Sequence, residues 1–265
     1  MLKIQNLDVW FFKGTVNEHH GLDHLELHVT PGEFVTLVGS NGAGKSTLFN
    51  AICGTIPAQS GRIILDEQEI TYLPDHKRAK IIGRLFQDPM KGTAPDMTIE
   101  ENLALANARG SRGALSMAVR RRDREQFRAE LAAYGMGLED RMKTKVGLLS
   151  GGQRQAMTLL MATIAKPKLL LLDEHTAALD PATAQTVMDI TCKIVKERKL
   201  TTLMITHNIN AALKTGTRTL MLDKGRIILD ISGQERERMT MDDLLSRYRQ
   251  KSGEIFAADR ALLSM

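Results

Sequence analysis

The residues best suited to chemistry in the first part of the chain form a glycine-rich segment, GSNGAGKS, at residues 39–46. The segment fits the spacing G-x-x-x-x-G-K-[ST], follows the apolar run FVTLVG and precedes the helical pattern TLFNAICG. Glycines let successive backbone N–H groups converge on phosphate oxygens, and a helix N-terminus adds a favourable field. The pattern therefore predicts a phosphate-binding loop made of Gly39, Ser40, Asn41, Gly42, Ala43, Gly44, Lys45, Ser46 and Thr47.

Three side chains of this loop have distinct expected roles. We expect Lys45 to place its charge on the β- and γ-phosphates of the ligand. Ser46 can offer its hydroxyl to Mg²⁺, and Thr47 stands where a further phosphate contact is available. The loop thus predicts a phosphate-bearing ligand and Mg²⁺.

A pair of acidic residues follows the apolar run LLLL. Asp173 stands at the C-terminal end of this predicted strand, where parallel α/β sheets place their ligand crevice. We expect Asp173 to hold Mg²⁺, directly or through water. Glu174 follows in the same crevice and is expected to orient or deprotonate the attacking water.

A second glycine-rich motif, LSGGQ, ends at Gln153 and opens the helical pattern RQAMTLLMATIA. Its Ser150, Gly151 and Gly152 form a helix N-terminus whose N–H groups make an anion site without a lysine. One chain thus carries two half-sites for phosphate.

The elements that must position these groups follow an α/β pattern. Period-2 alternation predicts strands over 2–12 and 22–29, and apolar runs predict strands over 34–39, 62–65, 81–86, 168–173, 201–206, 219–223 and 226–230. Apolar strands between helices imply a parallel sheet covered on both faces. Thr98 with Glu101 fits a capping box at the start of an inserted helical subdomain, about 98–165. We expect one domain over 1–240 and a helical tail over 241–265.

The composition, with 43% hydrophobic and 25% charged residues, is that of an ordinary globular protein. The net charge of +5, from 36 basic and 31 acidic residues, is spread along the chain and does not argue for nucleic acid. The run RRRDREQFRAE mixes both signs without an aromatic platform, which favours a solvated helix face. We therefore expect no nucleic-acid partner.

Four histidines near the N-terminus, His19, His20, His24 and His28, resemble a metal cluster at first sight. In a strand over 22–29, however, His24, Glu26 and His28 simply occupy the polar face. This interpretation is favoured over a zinc site.

No apolar stretch approaches the roughly 20 residues that a membrane-spanning helix needs. The N-terminal sequence alternates apolar and polar residues instead of forming the apolar block of a signal peptide. Cys53 and Cys192 lack the CxxC spacing of a metal or redox site and predict reduced thiols. We expect a cytoplasmic protein.

The phosphate loop, Gln87, LSGGQ, LLLLDE, AALD and His207 occur in the order found in the ATP-binding subunit of an ABC transporter. The chain resembles that family over about residues 2–235. The resemblance implies a P-loop NTPase core with a parallel sheet, an N-terminal antiparallel β region and the inserted helical subdomain. It also implies that two copies stack head to tail, with LSGGQ of one copy closing over ATP on the other.

Three further site residues follow from the resemblance alone. Gln87 is similar to the glutamine that contacts Mg²⁺, senses the γ-phosphate and water, and joins the docking site of the transmembrane partner. Asp180 in AALD is similar to the loop that contacts the partner chain's site. His207 is similar to the switch histidine that holds the γ-phosphate and orients Glu174.

The resemblance also implies partners. Membrane permease subunits would dock near Gln87, where residues 88–96 are expected to be irregular and exposed, and an extracytoplasmic binding protein would belong to the same system. The chain would lie peripherally on the inner face of the cell membrane and energise import. The alternatives are an iron–sulfur assembly scaffold and a DNA-repair ATPase, but the latter needs a coiled coil that the segment between Lys45 and Leu149 cannot contain.

Two details bear on adenine and on substrate. An aromatic residue of the first strand should stack on adenine, and the candidates are Trp10, Phe11 and Phe12. The spacing from Asn6 favours Phe11, although a bulge would exchange Phe11 and Phe12. His175 stands where the family most often has proline. The resulting DEHTAALDP resembles a bacterial importer branch encoded with a binding lipoprotein and a permease, for which aromatic amino acids are the proposed substrates.

Overall fold

The computed structural model describes residues 1–109, 119 and 121–252. The chain folds into two compact units, one made of Met1–Arg78 with the described residues from Lys199 onward, the other of Ala79–Arg198. The strands are β1 Leu2–Phe11, β2 His19–Val29, β3 Phe34–Gly39, β4 Ser60–Leu65, β5 Gln68–Glu69, β6 Ile82–Leu85, β7 Leu169–Asp173, β8 Thr201–Ile205, β9 Arg218–Asp223 and β10 Arg226–Ser232. The helices are α1 Lys45–Cys53, α2 Asp75–Arg78, α3 Ile99–Ala108, α4 Arg121–Ala132, α5 Gly151–Thr163, α6 Pro181–Arg198, α7 Ile209–Lys214, α8 Gly233–Arg238 and α9 Met241–Ser252.

The first unit begins with an antiparallel sheet in the order β2-β1-β4-β5, as the family resemblance implies. Pairing of β1 with β2 includes register shifts between Ile4 and Trp10. The sheet also includes the short strand β5, which the sequence patterns do not predict. Strand β1 ends at Phe11, one residue before the predicted end, and Phe12 just beyond it has a left-handed φ of 52°.

The phosphate-loop strand β3 lies in the second sheet of this unit, between β8 and β9 and parallel to both. All six residues of β3 and all five of β8 are buried, which is why both read as continuous apolar runs. Strand β10 pairs antiparallel with β9 across a two-residue turn at Lys224 and Gly225, both with left-handed φ.

Helix α9 packs on the core of the first unit. Its buried Leu244, Leu245 and Tyr248 join a hydrophobic cluster with residues of α7, β9 and β10. The Tyr248 hydroxyl donates to the buried Asp223 carboxylate at 3.0 Å. The rest of the tail expected over 241–265 lies outside the described residues, and the domain bounds of 1–240 and 241–265 stay a prediction.

The second unit pairs β6 and β7 as parallel neighbours and carries helices α3 to α6. The expected capping box is present, since the Thr98 side chain accepts from the Glu101 backbone while the Glu101 side chain accepts from the Thr98 backbone. Helices α3, α4 and α5 lie in the segment where the sequence predicts a helical subdomain. Residues 110–118 and 120 of that segment lie outside the described residues.

Candidate nucleotide-binding site

The phosphate loop turns sharply out of β3 and into α1. A Cβ added at Gly39 would lie 2.3 Å from the Leu222 carbonyl oxygen, and one added at Gly44 would lie 2.5 Å from the Gly21 carbonyl oxygen. Gly42 and Gly44 also have left-handed φ values of 80° and 102°. The close backbone approaches and the left-handed φ values explain why glycine occupies these positions. The absence of a Cβ at each of them lets the backbone follow this tight turn.

Lys45 closes the loop from its helical end. The side chain is buried, and its Nζ donates at 2.8 Å to the carbonyl oxygens of both Gly39 and Ser40. Its charge is thus fixed at the loop, where phosphate oxygens would compensate it better than neutral carbonyls do. Helix α1 has Gly44 as its N-cap and no side-chain cap, so its N-terminal amides suit an anion. Ser46 is exposed and Thr47 half-buried.

Phe11 is the aromatic residue that borders this loop. A Cβ added at Gly21 would lie 2.6 Å from Phe11 Cε2 and 3.2 Å from Thr47 Cγ2, so the ring and the loop residue pack against the same glycine. Phe12, at the end of the strand, is 70% exposed. The register shifts in β1 therefore leave the preference for Phe11 in place, and the preference stays a prediction.

His207 lies two residues beyond the end of β8. Since β8 runs parallel to β3, the C-terminal ends of both strands lie at one edge of the sheet, and the Thr206 N–H donates to the Leu37 carbonyl at 3.2 Å. His207 is half-buried. The first unit thus brings His207 to the sheet edge from which the phosphate loop leaves.

The acidic pair ends β7 in the second unit. Asp173 accepts a hydrogen bond at Oδ2 from Arg84 Nη2 at 3.0 Å, and both side chains are mostly buried. Glu174 is half-buried and has a left-handed φ of 47°. For a non-glycine residue this conformation costs on the order of 1–3 kcal/mol, and such strain is concentrated at functional sites.

The histidine that follows the acidic pair belongs to the core. His175 is 2% exposed, and its Nε2 lies 3.1 Å from the Thr191 hydroxyl. Burial lowers the pKa of His175 to about 4, so the ring is neutral at pH 7. The departure from proline therefore supplies a neutral, hydrogen-bonded side chain under the acidic pair.

The segment after Gln87 is more ordered than expected. Gln87 is exposed, but Pro89–Gly92 forms a 3₁₀ turn that Asp88 caps by accepting from the Met90 N–H at 2.9 Å. Asn102 of α3 then exchanges two hydrogen bonds with the Ala94 backbone, at 2.8 and 3.0 Å. The expectation of an irregular, exposed segment over 88–96 is therefore confirmed in part. The four residues of the 3₁₀ turn are regular, whereas the other residues are turn, bend or coil, and Asp88, Lys91 and Asp96 are exposed.

LSGGQ begins α5 with Ser150 as the N-cap. Gln153 N–H donates to Ser150 Oγ, and Ser150 N–H donates to Gln153 Oε1, both at 3.3 Å. This capping box engages the N–H groups of Ser150 and Gln153, which flank the two glycines. The expected anion site therefore reduces to the N–H groups of Gly151 and Gly152. A Cβ added at Gly152 would lie 2.2 Å from Thr183 Cγ2 of α6, which explains the second glycine.

Asp180 caps the start of α6 beside this motif. Its Oδ1 accepts from the Thr183 N–H at 3.0 Å. Hydrogen bonds from the side chain and backbone of Thr183 hold the pKa of Asp180 below its usual value. Thr183 therefore contacts both the AALD loop and Gly152, which ties these two sequence motifs together within the second unit.

The N-terminal histidines pair with carboxylates. His20 Nε2 and His24 Nδ1 each lie 2.9 Å from the buried Asp8 carboxylate, and Arg226 binds Asp23 at 2.5 Å. Burial tends to raise the pKa of Asp8, but hydrogen bonds from the His24 backbone, Ser60 and His20 outweigh it and hold the pKa below its usual value. Asp8, His20 and Asp23 are close enough to share a metal ion, although Asp8 already accepts a hydrogen bond from Ser60 and Asp23 already pairs with Arg226. The preference against a zinc site stays a prediction.

Sequence reasoning missed Arg84, the charged partner of Asp173. The available signal was a single arginine inside the otherwise apolar strand pattern IIGRLF. A charged residue in such a strand needs a partner, which the sequence alone does not identify.

Comparison with known proteins decides the family. The model of the family described as ABC transporter matches residues 22–177. The chain belongs to the ABC transporter family. It is 44% identical over 248 residues to the tyrosine transport ATP-binding protein of Clostridioides difficile (strain R20291), covering 94% of this chain and 98% of that one. It is 34% identical over 212 residues to the thiamine import ATP-binding protein ThiQ of Yersinia pseudotuberculosis, covering 78% and 85%.

Solved structures agree with this family assignment. The ATP-binding cassette MJ0796 in a dimeric post-hydrolysis state with ADP and Pi matches with a TM-score of 0.74 at 30% identity, covering 88% of this chain and 98% of that one. CbiO1 from Clostridium perfringens, part of the ABC transporter complex cbiONQ, matches with a TM-score of 0.74 at 26% identity, covering 98% of each chain. These neighbours confirm the predicted ABC ATPase fold.

This ABC transporter chain is an importer-type ATP-binding subunit and an ATPase, as the sequence predicts. The iron–sulfur scaffold gains no support, since the relatives named above serve transport. Across residues 1–109, 119 and 121–252, no helix has both the length and the apolar character that crossing a bilayer requires.

Proposed function

We propose that this subunit hydrolyses MgATP to drive uptake of aromatic amino acids, with tyrosine as the first candidate. The observation that carries the proposal is 44% identity, over nearly the whole of both chains, to a tyrosine transport ATP-binding protein. DEHTAALDP, with the buried His175, supports the same branch. Thiamine is the second candidate, because the ThiQ relatives are 31–34% identical.

Uptake assays separate these substrates. A strain that lacks this subunit, complemented with the wild-type chain, should recover uptake of labelled tyrosine but not of labelled thiamine. Complementation with Glu174→Gln provides the control for ATP-driven uptake. Recovery of thiamine uptake without tyrosine uptake would replace the substrate class while leaving the ATPase function intact.

Mg²⁺ fits the donors that the proposal assigns to it. The Ser46 hydroxyl, the Gln87 amide oxygen and the Asp173 carboxylate are hard oxygen ligands, which is the type that Mg²⁺ prefers. When bound with ATP, the ion neutralises charge on the β- and γ-phosphates. Glu174 would take the proton of the attacking water, and His207, by the family resemblance, would hold the γ-phosphate and orient Glu174.

The remaining site residues of this chain would act on a neighbouring copy. Ser150, Gly151, Gly152, Gln153 and Asp180 would act on ATP held by a second copy. The dimeric MJ0796 cassettes, at 30% and 28% identity, support this assignment.

Permease subunits would dock at the 3₁₀ turn after Gln87, with an extracytoplasmic binding protein delivering the substrate. The chain would then lie in the cytoplasm, peripheral to the inner face of the membrane. Cysteine crosslinking tests the docking site, with a cysteine at exposed Lys91 expected to react with a permease's cytoplasmic loop. A cysteine at exposed Lys214, on α7, serves as the matched control and should not react. Equal reaction at both positions would refute the docking site.

A further inference from the structure

We propose that Arg84 positions the Asp173 carboxylate for the metal ion that binds with ATP. The inference rests on the proposed role of Asp173 in binding Mg²⁺. Arg84 Nη2 donates to Asp173 Oδ2 at 3.0 Å. A carboxylate has two oxygens and about four acceptor sites, so this bond fixes its plane and leaves acceptor capacity for a metal ion.

The guanidinium is itself held in place. The strands β6 and β7 are parallel, with Arg84 opposite Leu171, so the Arg84 side chain extends along β7 toward the residue at its end. The guanidinium carbon lies 4.7 Å from the centre of the Phe86 ring, as in a cation–π contact. Arg84 and Asp173 expose only 13% and 14% of their side chains. The pair is therefore constrained by its strand, by an aromatic face and by burial.

Stability alone is a weak reason for a charged pair at this place. Replacing a buried ion pair by apolar side chains of similar volume is often neutral or stabilising. The position of the pair at the end of the strand that carries the acidic residues favours a role in the site. Carboxylates that bind metal ions are themselves hydrogen-bonded, and loss of the outer partner typically weakens metal binding about 10- to 100-fold.

Arg84 also lies next to the Gln87 segment. Phe86, against which the guanidinium packs, directly precedes Gln87. One side chain thus contacts both the carboxylate proposed for Mg²⁺ and the residue that leads into the proposed sensor and docking segment. This gives Arg84 a second reason to be fixed in orientation.

Metal binding by the purified full-length chain tests the inference. Mn²⁺ replaces Mg²⁺ as a probe that electron paramagnetic resonance detects, and a non-hydrolysable ATP analogue holds the site occupied. We expect Arg84→Met to weaken Mn²⁺ binding about 10-fold or more. Affinity for the nucleotide without divalent ions should stay within about twofold, because the phosphate loop is unchanged. The Mn²⁺ affinity of Arg84→Lys should lie between those of Arg84→Met and the wild-type chain. A lysine ammonium donates hydrogen bonds but lacks the planar fork of donors that a guanidinium has.

Arg198→Met is the matched control. It removes a half-buried arginine–carboxylate pair of the same unit, that with Glu130, and should leave Mn²⁺ affinity within about twofold. Asp173→Asn should weaken Mn²⁺ binding, and adding Arg84→Met to it should weaken binding no further. Melting curves without ligands monitor folding, and Arg84→Lys serves if Arg84→Met does not fold.

The outcomes separate the two claims. Mn²⁺ affinity that is unchanged or higher in Arg84→Met, while Asp173→Asn weakens it, would overturn the positioning role, because Arg84 would then be neutral or would compete with the ion. Unchanged affinity in Asp173→Asn would instead refute the proposed role of Asp173 itself.

Discussion

At the scale of single residues, Glu174 has a backbone conformation that suits its proposed role as the base. Its left-handed φ interrupts the extended path of β7 immediately after Asp173. The two carboxylates therefore need not point to opposite faces of the sheet, as successive side chains of a strand do. The conformation has a cost in free energy, which the buried strand before it and the hydrogen bond from Ala177 N–H to Glu174 O offset.

Glu174→Gln tests the assignment of the base. The amide cannot take a proton, so we expect turnover to fall about 10²- to 10⁴-fold while ATP affinity is kept. Lys45→Ala should lose nucleotide binding instead, because the phosphate charge is then uncompensated. Equilibrium binding and steady-state hydrolysis give the two readouts. Glu197→Gln, at an exposed position of α6, is the control, and wild-type turnover in Glu174→Gln would remove Glu174 from this role.

His175 makes a prediction about pH. Its folded pKa of about 4 lies below the unfolded value near 6.5, so the unfolded chain binds the proton more readily. The contribution of His175 to stability is therefore present above pH 6.5 and is lost as the pH falls towards 4. It amounts to about 3 kcal/mol in the unfolding free energy, since each pKa unit corresponds to 1.36 kcal/mol.

Denaturant unfolding at several pH values measures this effect. His175→Gln keeps a polar group near Thr191 and should flatten the fall between pH 6.5 and 4. His76→Gln, at an exposed position of α2, is the control and should keep the wild-type slope. An unaltered slope in His175→Gln would show that the ring does not carry the pH dependence.

At the scale of elements, the starts of α5 and α6 depend on each other. Gly152 of α5 faces Thr183 of α6, and Asp180 caps α6 through the same threonine. The LSGGQ glycine is thus required by packing against a neighbouring helix, in addition to any contact with phosphate.

Gly152→Ala should destabilise the chain, because the new methyl group would lie 2.2 Å from Thr183 Cγ2. Without a clash, alanine stabilises a helix by about 1 kcal/mol relative to glycine. A lower unfolding free energy of Gly152→Ala would therefore indicate the clash. Thr183→Ser removes the methyl group and should rescue the variant. Thermal unfolding of the single and double variants decides, and a stabilised Gly152→Ala single variant would contradict the clash.

Local patterns predicted the phosphate loop, the strand before Asp173 and the Thr98 capping box, because each depends on residues close in sequence. The pairing of Arg84 with Asp173 depends instead on β6 lying parallel to β7 in one register. The contact of Gly152 with Thr183 similarly depends on how two helices pack. Such long-range pairings set the details of the candidate site, and spacing within a single sequence does not determine them.

At the scale of the whole molecule, the chain carries two kinds of candidate phosphate site in separate units. The phosphate loop, with Lys45 and an uncapped helix start, belongs to the first unit, while the LSGGQ helix start belongs to the second. The LSGGQ start lacks a lysine and caps itself through Gln153. Its amides would therefore bind ATP weakly alone and act best on nucleotide that a second copy already holds.

Glu174→Gln with MgATP should consequently form a stable homodimer. Unhydrolysed ATP would join Lys45 of one copy to the Gly151 and Gly152 amides of the other, and ADP should release the dimer because the γ-phosphate is gone. Gel filtration with light scattering measures the mass. Ser150→Arg should abolish the dimer by placing a bulky side chain at the start of α5, whereas Lys166→Arg, exposed beyond the end of α5, should not. A monomer at micromolar protein and saturating ATP would count against the sandwich, as would a dimer that persists in Ser150→Arg.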